Sequence, residues 1–108
     1  MSFNIERTDK FSKSLKKLAK KYKNIKKDYQ YLLEILNDKN HNAIQVTENI
    51  YKIRLQNSSN PKGKSSGFRV IYFFKTKADT LYLLDIFSKN EIDNVKAHKL
   101  IEMAKSCR

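Results

Sequence analysis

The chain has 108 residues, the length of one domain, and we expect a single domain over residues 1–108. Hydrophobic residues make up 40% of the chain, with only two glycines and one proline, a composition that excludes a disordered basic tail. The formal net charge is +12, and residues 1–39 and 40–78 each contribute +6 while residues 79–108 are neutral. This balance favours nucleic acid or another polyanion as the partner.

Several chemistries lack the residues that they need. The single cysteine, Cys107, cannot form an internal disulfide, and no apolar run approaches the length of a membrane span. The two histidines, His41 and His98, are not at zinc-site spacing with the cysteine, and the acidic residues are scattered. The sequence therefore predicts a cytoplasmic protein with no metal, no small-molecule cofactor and no membrane partner.

The first part of the chain predicts a short strand and two helices. Residues 2–6 alternate in polarity, and Thr8 is a candidate N-cap for the helix that follows. That helix has helical apolar spacing and a lysine-rich opposite face; its apolar residues are Phe11, Leu15, Leu18, Tyr22 and Ile25. A second helix is predicted around Tyr29 to Leu36 and should end between Asn37 and Asn42. Joined by a short turn, the two helices should form an antiparallel hairpin.

The second part predicts strands. Residues 51–56 alternate, residues 57–67 are a polar loop of hairpin type, and residues 68–74 and 81–87 are nearly continuous apolar runs. Such runs indicate interior strands covered on both faces. A further short strand is possible near residues 43–46, and Asn90 is a candidate cap of a final helix. The prediction is an α+β fold, ordered β-α-α-β-β-β-α, with a helical hairpin packed on an antiparallel-rich sheet.

The stretch from Tyr51 to Tyr72 concentrates positive charge. No acidic residue occurs between Glu48 and Asp79, whereas five cations fall within the stretch, namely Lys52, Arg54, Lys62, Lys64 and Arg69. Lys52 and Arg54 should share one strand face, because side chains two apart in a strand point the same way. If residues 57–67 form a hairpin loop, Arg54 and Arg69 come close together.

A cationic site of this kind is suited to metal-independent RNA cleavage, in which a 2′-hydroxyl attacks the adjacent phosphate. Arginine is suited to the phosphoryl oxygens because its guanidinium is bidentate and stays charged. A lysine crowded by other cations is a candidate for proton transfer, because like charges disfavour its protonated form. The candidate catalytic residues are therefore Arg69, Lys52 and Arg54, with Lys89 at the end of the following strand.

Other residues are candidates for RNA binding rather than chemistry. Lys62 and Lys64 are loop cations. Tyr51, Tyr72 and Tyr82 are interpreted as core or half-core residues, whereas an exposed Tyr72 would stack on a base. The helix lysines, among them Lys16 and Lys20, are interpreted as a general electrostatic face. An ordinary solvated surface remains the alternative for the loop and helix cations, and an ordinary solvated strand face for Lys52 and Arg54.

Three segments together resemble the RelE/HigB group of bacterial toxins from toxin–antitoxin pairs. They are YKIRL at residues 51–55, GKSSGFRVIY at residues 63–72 and LLDIFSKNE at residues 83–91. The resemblance extends over nearly the whole chain, including the lysine-rich first helix. It implies a RelE-like fold, a ribosome-dependent mRNA endonuclease (an mRNA interferase) that inhibits translation, and an antitoxin that covers the basic site. The implied partners are the antitoxin, mRNA and the ribosomal RNA.

Carried over by position, the resemblance implies that Lys52 and Arg54 are the family's paired basic strand residues. Arg69 corresponds to the arginine of its Gly-aromatic-Arg motif, and Lys89 to its Ser/Gly-Lys position. The loop around Lys62 and Lys64 is closer to the HigB-like branch. RelE toxins have an arginine where this chain has Asn90 and a catalytic tyrosine where it has Lys96, so the general base and acid stay open.

Two other functions remain open at this point. A ParE-like toxin that poisons gyrase has a similar fold without RNA chemistry, and a non-catalytic nucleic-acid-binding module would use the same cations only for affinity. A chain that has lost its activity is a third possibility. The more complete cationic site favours the RNA endonuclease.

Overall fold

The structure is a computed structural model. It describes residues 4–37, 43–59, 67–75 and 79–88, together with Glu102 and Lys105 as single helical positions. A five-stranded mixed sheet lies against a pair of helices. In chain order the elements are β1 (Asn4–Arg7), α1 (Asp9–Ala19), α2 (Ile25–Asn37), β2 (Ile44–Thr47), β3 (Ile50–Leu55), β4 (Phe68–Lys75) and β5 (Thr80–Ser88). The α+β class is therefore confirmed, and so is the short strand considered near residues 43–46.

The sheet has the strand order β1-β5-β4-β3-β2. Strand β1 pairs with β5 in parallel, and the other three pairs are antiparallel, which confirms the antiparallel-rich sheet. Strands β3, β4 and β5 lie inside the sheet, and β4 and β5 carry the long apolar runs. A bulge between Ile71 and Tyr72 shifts the register of β4 against β5.

Thr8 joins the end of β1, the start of α1 and the middle of β5. Its Oγ1 accepts a hydrogen bond from the Phe11 amide at 3.2 Å, which confirms the predicted N-cap. The same hydroxyl lies within donating distance of the Leu83 carbonyl at 2.9 Å, and the Thr8 amide donates to that carbonyl at 3.1 Å. Helix α1 therefore starts at a fixed place on the sheet.

The boundary between the two helices differs from the prediction. Helical apolar spacing continues from Phe11 to Ile25, but α1 ends at Ala19 and Ile25 begins α2. The turn in between places both Leu18 and Ile25 in the core, each 2% exposed. Apolar spacing alone missed this break because the same residues are buried whether the helix continues or turns.

The two faces of the sheet differ in what they carry. On the helix side, β3, β4 and β5 contribute side chains such as Ile53, Val70 and Leu83 to the core shared with α1 and α2. Because side chains alternate along a strand, the opposite face carries a separate apolar cluster of Ile50, Ile71, Leu84 and Phe87. We call this opposite face the distal face.

The predicted final helix after Asn90 lies outside the described residues, apart from Glu102 and Lys105, which are helical. In the described part of the chain, no helix is long and apolar enough to span a membrane.

Candidate nucleic-acid interface

Two arginines stand opposite each other near the end of the β3–β4 ladder. Arg54 of β3 is the register partner of Arg69 of β4, and one further pair, Leu55 with Phe68, ends the ladder. Leu55 and Phe68 are fully buried in the helix-side core, so their neighbours Arg54 and Arg69 point to the distal face. The expectation that the hairpin brings these two arginines together is confirmed.

Gly67 lies beside both guanidinium groups. A Cβ at this position would lie 3.6 Å from Arg54 Nε and 3.8 Å from Arg69 Nη1, so both groups flank one point in space. The same Cβ would lie only 3.1 Å from the Leu55 carbonyl oxygen, which is closer than a side chain ordinarily packs. Space rather than an unusual backbone angle favours glycine here, because Gly67 does not have a positive φ.

One hydrogen-bond donor of Arg69 is not used within the described part of the chain. Arg69 is partly buried, and its buried Nη1 has no hydrogen-bond partner among the residues that the structure describes. A buried guanidinium nitrogen without a partner is energetically costly. An oxyanion placed beside Arg69 would remove that cost and accept a charge-assisted hydrogen bond.

Lys52 lies on the same face as the arginines. It precedes Arg54 by two residues in β3 and is paired with Ile71 of β4, two register pairs further from the end of the ladder. Its side chain is partly buried, whereas Arg54 is exposed. Lys52, Arg54 and Arg69 therefore form a row of three cations on the distal face, which we call the cationic row.

Buried apolar residues of the sheet lie beside the cationic row. Arg69 pairs with Phe87 of β5, which is 5% exposed, and Lys52 pairs with Ile71, which is 2% exposed. Charged groups beside a low-dielectric surface interact with an anion more strongly than charges surrounded by water. The row can therefore hold a phosphate group and stabilise added negative charge on it.

Tyr72 does not join the cationic row. It lies on the helix side of the sheet, is 3% exposed, and stacks on Tyr51 with the ring centroids 5.4 Å apart. Burial, together with the neighbouring Tyr51, raises the pKa of Tyr72 to about 12. The expectation of an exposed Tyr72 that stacks on a base is wrong, because the helices cover this face of the sheet.

Of the remaining predicted cations, the structure describes only Lys16 and Lys20. Lys16 and Lys20 are exposed on and just after α1, in the helix layer on the other side of the sheet from the cationic row. Lys62, Lys64 and Lys89 lie outside the described residues. Lys16 and Lys20 thus belong to a separate basic surface.

The acidic residues do not form a metal site in the part of the chain that the structure describes, where no group of three candidate ligands occurs. Asp85, 8% exposed, instead accepts hydrogen bonds from the Ser14 hydroxyl at 2.6 Å and from the Ile86 amide at 2.8 Å. Asp28, 5% exposed, accepts one from the Ser58 amide at 3.1 Å. Both carboxylates are therefore used to join parts of the fold.

Sequence reasoning missed the spatial role of Gly67 and the contact of Asp28. The position of Gly67 immediately before Phe68 and Arg69 was an available signal. For Asp28 the only signal was a lone acid at the end of a lysine-rich run, which contains no other acid between Lys10 and Lys27.

Fold and interface together define a small α+β protein in which a helical hairpin covers one face of a mixed sheet and a row of cations lies on the other. No family model matches the sequence. Among solved structures, the chain is similar to an arginine double mutant of the Escherichia coli toxin RelE in the free state, at 18% identity, covering 100% of both chains with a TM-score of 0.61. It is also similar to the isolated E. coli RelE toxin, at 16% identity, covering 99% of this chain and 100% of that chain with a TM-score of 0.57. The chain therefore has the RelE-like toxin fold.

Proposed function

We propose that this protein is the toxin of a toxin–antitoxin pair and that it inhibits translation by cleaving mRNA on the ribosome without a metal ion. The observation that carries the proposal is the juxtaposition of Arg54 and Arg69, with the unpartnered Nη1 of Arg69, on a RelE-like fold. Two guanidinium groups that flank one point are suited to a phosphate group of RNA.

The proposed reaction is an intramolecular displacement in the RNA. The 2′-oxygen attacks the adjacent phosphorus, the bond from phosphorus to the 5′-oxygen breaks, and the products are a 2′,3′-cyclic phosphate and a 5′-hydroxyl. Arg69, supported by Arg54, stabilises the negative charge that develops on the non-bridging oxygens. Because these two side chains come from neighbouring strands of one ladder, they are held in place before the substrate arrives.

Proton transfer completes the reaction. One group must take the proton of the 2′-hydroxyl, and another must give a proton to the leaving 5′-oxygen. Lys52 is one candidate because it lies on the same face as Arg54, and Lys89 is the other on the basis of the resemblance. We propose that Lys52 and Lys89 share these two tasks, one as the general base and the other as the general acid.

The remaining cations are proposed to bind RNA electrostatically. Lys62 and Lys64 would contact the substrate strand, and Lys16 and Lys20 would contact ribosomal RNA from the helix side. Contacts of lysine with phosphates supply affinity with little sequence preference. The site of action is then the cytoplasm, where ribosomes are found.

The proposed regulator is an antitoxin protein that binds the toxin and keeps it inactive. The formal net charge of +12 favours an acidic partner, because complementary charges speed association. The same net charge opposes self-association of the toxin. An open reading frame for such a protein beside the toxin gene would be the expected arrangement.

Inducible expression followed by mapping of transcript 5′ ends tests the function. We expect arrested growth and new 5′-hydroxyl ends within translated mRNA, which disappear in the Arg69→Ala variant. Purified protein should cleave mRNA on programmed ribosomes with no divalent metal ion other than the Mg²⁺ that the ribosomes themselves require. DNA damage without mRNA cleavage would instead indicate a ParE-like toxin, and salt-dependent RNA binding without cleavage would indicate a binding module; either result contradicts the proposal.

A further inference from the structure

Strand β5 continues beyond the end of its partner β1. The parallel pairing of these strands ends at Arg7 and Leu83, and Thr8 then caps α1. Strand β5 goes on to Ser88, so in the described part of the chain its last residues lie beside α1 rather than beside β1. A groove of about 180 Å³ lies between α1 and this part of β5. We call it the α1–β5 groove.

Three lysines of α1 form the rim of the α1–β5 groove. Lys10, Lys13 and Lys17 line it, and all three residues are exposed. Residues three and four positions apart are neighbours on the surface of a helix, so the three lysines lie along one side of α1. The rim therefore presents a concentration of positive charge to a partner.

The interior of the α1–β5 groove has a different chemistry. Leu18, Ile86 and Phe87 line it and are buried in the free protein. The Ser14 hydroxyl and the Ile86 amide both donate to Asp85 Oδ1, at 2.6 Å and 2.8 Å. These two donors are therefore already used, and the interior offers a bound group an apolar wall and a carboxylate.

A cationic rim around an apolar interior fits an acidic peptide better than a nucleic acid. A cavity of about 150 Å³ holds a benzene molecule, so the α1–β5 groove has room for one leucine or phenylalanine side chain. Carboxylates beside that residue in the peptide would contact the lysines of the rim. A phosphate inside the groove would instead meet the Asp85 carboxylate, which repels it.

We propose that the α1–β5 groove binds an acidic segment of a partner protein, with one apolar side chain inside the groove and neighbouring carboxylates on Lys10, Lys13 and Lys17. Helix α1 packs on the face of the sheet opposite the cationic row, so the two basic surfaces take different ligands. The inference rests on the proposed function in one respect only: the antitoxin is then the expected source of the segment.

Selection from a library of short random peptides, with the purified full-length protein as the target, tests the groove. We expect the enriched peptides to carry acidic residues on both sides of a leucine, isoleucine or phenylalanine. A synthetic copy of the most enriched peptide is then the probe for titration calorimetry and for mapping of amide chemical shifts by NMR. The shifts should concentrate in residues 10–18 and 85–88.

Two charge reversals separate the groove from the net charge of the protein. Lys13→Glu and Lys26→Glu change the net charge equally, but Lys26 is exposed on α2 and does not line the groove. Lys13→Glu should weaken binding of the peptide probe by roughly fivefold or more, because an attractive pair becomes a repulsive one, and Lys26→Glu should leave it nearly unchanged. A probe with serine in place of its apolar residue should bind roughly tenfold more weakly or worse.

Four results would overturn the proposal. They are enrichment of neutral or basic peptides, equal losses in Lys13→Glu and Lys26→Glu, full affinity of the serine probe, and shifts that concentrate in the cationic row. Displacement of the probe by a single-stranded RNA that shifts residues 85–88 would also overturn it, because the groove would then bind RNA. The proposed function can fail separately: it is contradicted by an absence of mRNA cleavage, whereas the peptide measurements need no cleavage.

Discussion

Arg54 and Arg69 are direct partners across the β3–β4 ladder, on the face of the sheet that the helical hairpin does not cover. The pairing places two positive charges beside each other on one face of the sheet. An anion that lies between the two guanidinium groups would accept charge-assisted hydrogen bonds from them. A concentration of positive charge at one place is typical of an anion-binding surface.

Replacement of Arg69 tests the chemistry directly. Arg69→Ala should lower the cleavage rate by about 10²-fold or more, the usual effect of removing one donor to a developing oxyanion, and should leave the fold intact. Arg69→Lys should retain part of the rate, because it keeps the charge but loses the bidentate geometry. Cleavage on programmed ribosomes and circular dichroism are the measurements, with Lys75→Ala at the far end of β4 as the control.

Arg54 is exposed, and its contribution should be visible in RNA binding. Arg54→Gln removes one cation from the interface, so the plot of log affinity against log salt should become shallower by about 0.7, the value for one phosphate contact on a single strand. Titration of a labelled, non-cleavable RNA at several salt concentrations measures the slope. An unchanged slope would mean that Arg54 does not contact the backbone.

Gly67→Ala tests whether space between the arginines matters. The added methyl group would lie 3.1 Å from the Leu55 carbonyl oxygen and within 4 Å of both Arg54 Nε and Arg69 Nη1. We expect a loss of about 1–3 kcal/mol in the free energy of unfolding, as for other overpacked sites, and a fall in cleavage rate. Urea unfolding and single-turnover cleavage separate the two effects, and full activity in Gly67→Ala would show that the guanidinium positions tolerate displacement.

Local patterns were sufficient to predict most elements and the arginine pair. Alternation in β3 and the polar loop after it are short-range features, so the sequence could predict that Arg54 and Arg69 lie near each other, although not their exact register. The Thr8 cap is likewise a local feature of side chain and backbone.

The errors concern features that depend on distant parts of the chain. Nearly continuous apolar sequence in β4 does not reveal which face of the sheet each residue occupies, and the bulge after Ile71 shifts the register further, so the sequence left both a core position and an exposed position open for Tyr72. The partner of Asp28 is a backbone amide thirty residues away. Almost every residue has a backbone amide, so the sequence does not indicate which one the carboxylate contacts.

Asp85 is predicted to support the structure without a role in the reaction. It joins β5 to α1 through Ser14, and its removal in Asp85→Ala leaves the Ser14 hydroxyl and the Ile86 amide without their acceptor. We expect a loss of about 1–3 kcal/mol in the free energy of unfolding, with Asp85→Asn much milder because its oxygen still accepts. Cleavage rate per folded molecule should not change in Asp85→Asn, and a rate that follows the carboxylate charge would contradict a purely structural role.

The raised pKa of Tyr72 predicts how the free energy of unfolding changes at alkaline pH. Its pKa is raised from 10.0 to about 12 by burial and by Tyr51, so the folded state favours the neutral phenol more than the unfolded state does. The stabilisation is therefore fully present below pH 10 and is lost as the pH rises towards 12. In urea unfolding between pH 8 and about pH 11.5, Tyr72→Phe should lose less stability than the natural sequence, because it cannot ionise on unfolding. Tyr31→Phe is the control, since the Tyr31 side chain is 54% exposed and lies on α2 away from the stacked pair. Equal alkaline losses in the natural sequence and in Tyr72→Phe would show that Tyr72 ionises as readily in the folded protein as in the unfolded chain.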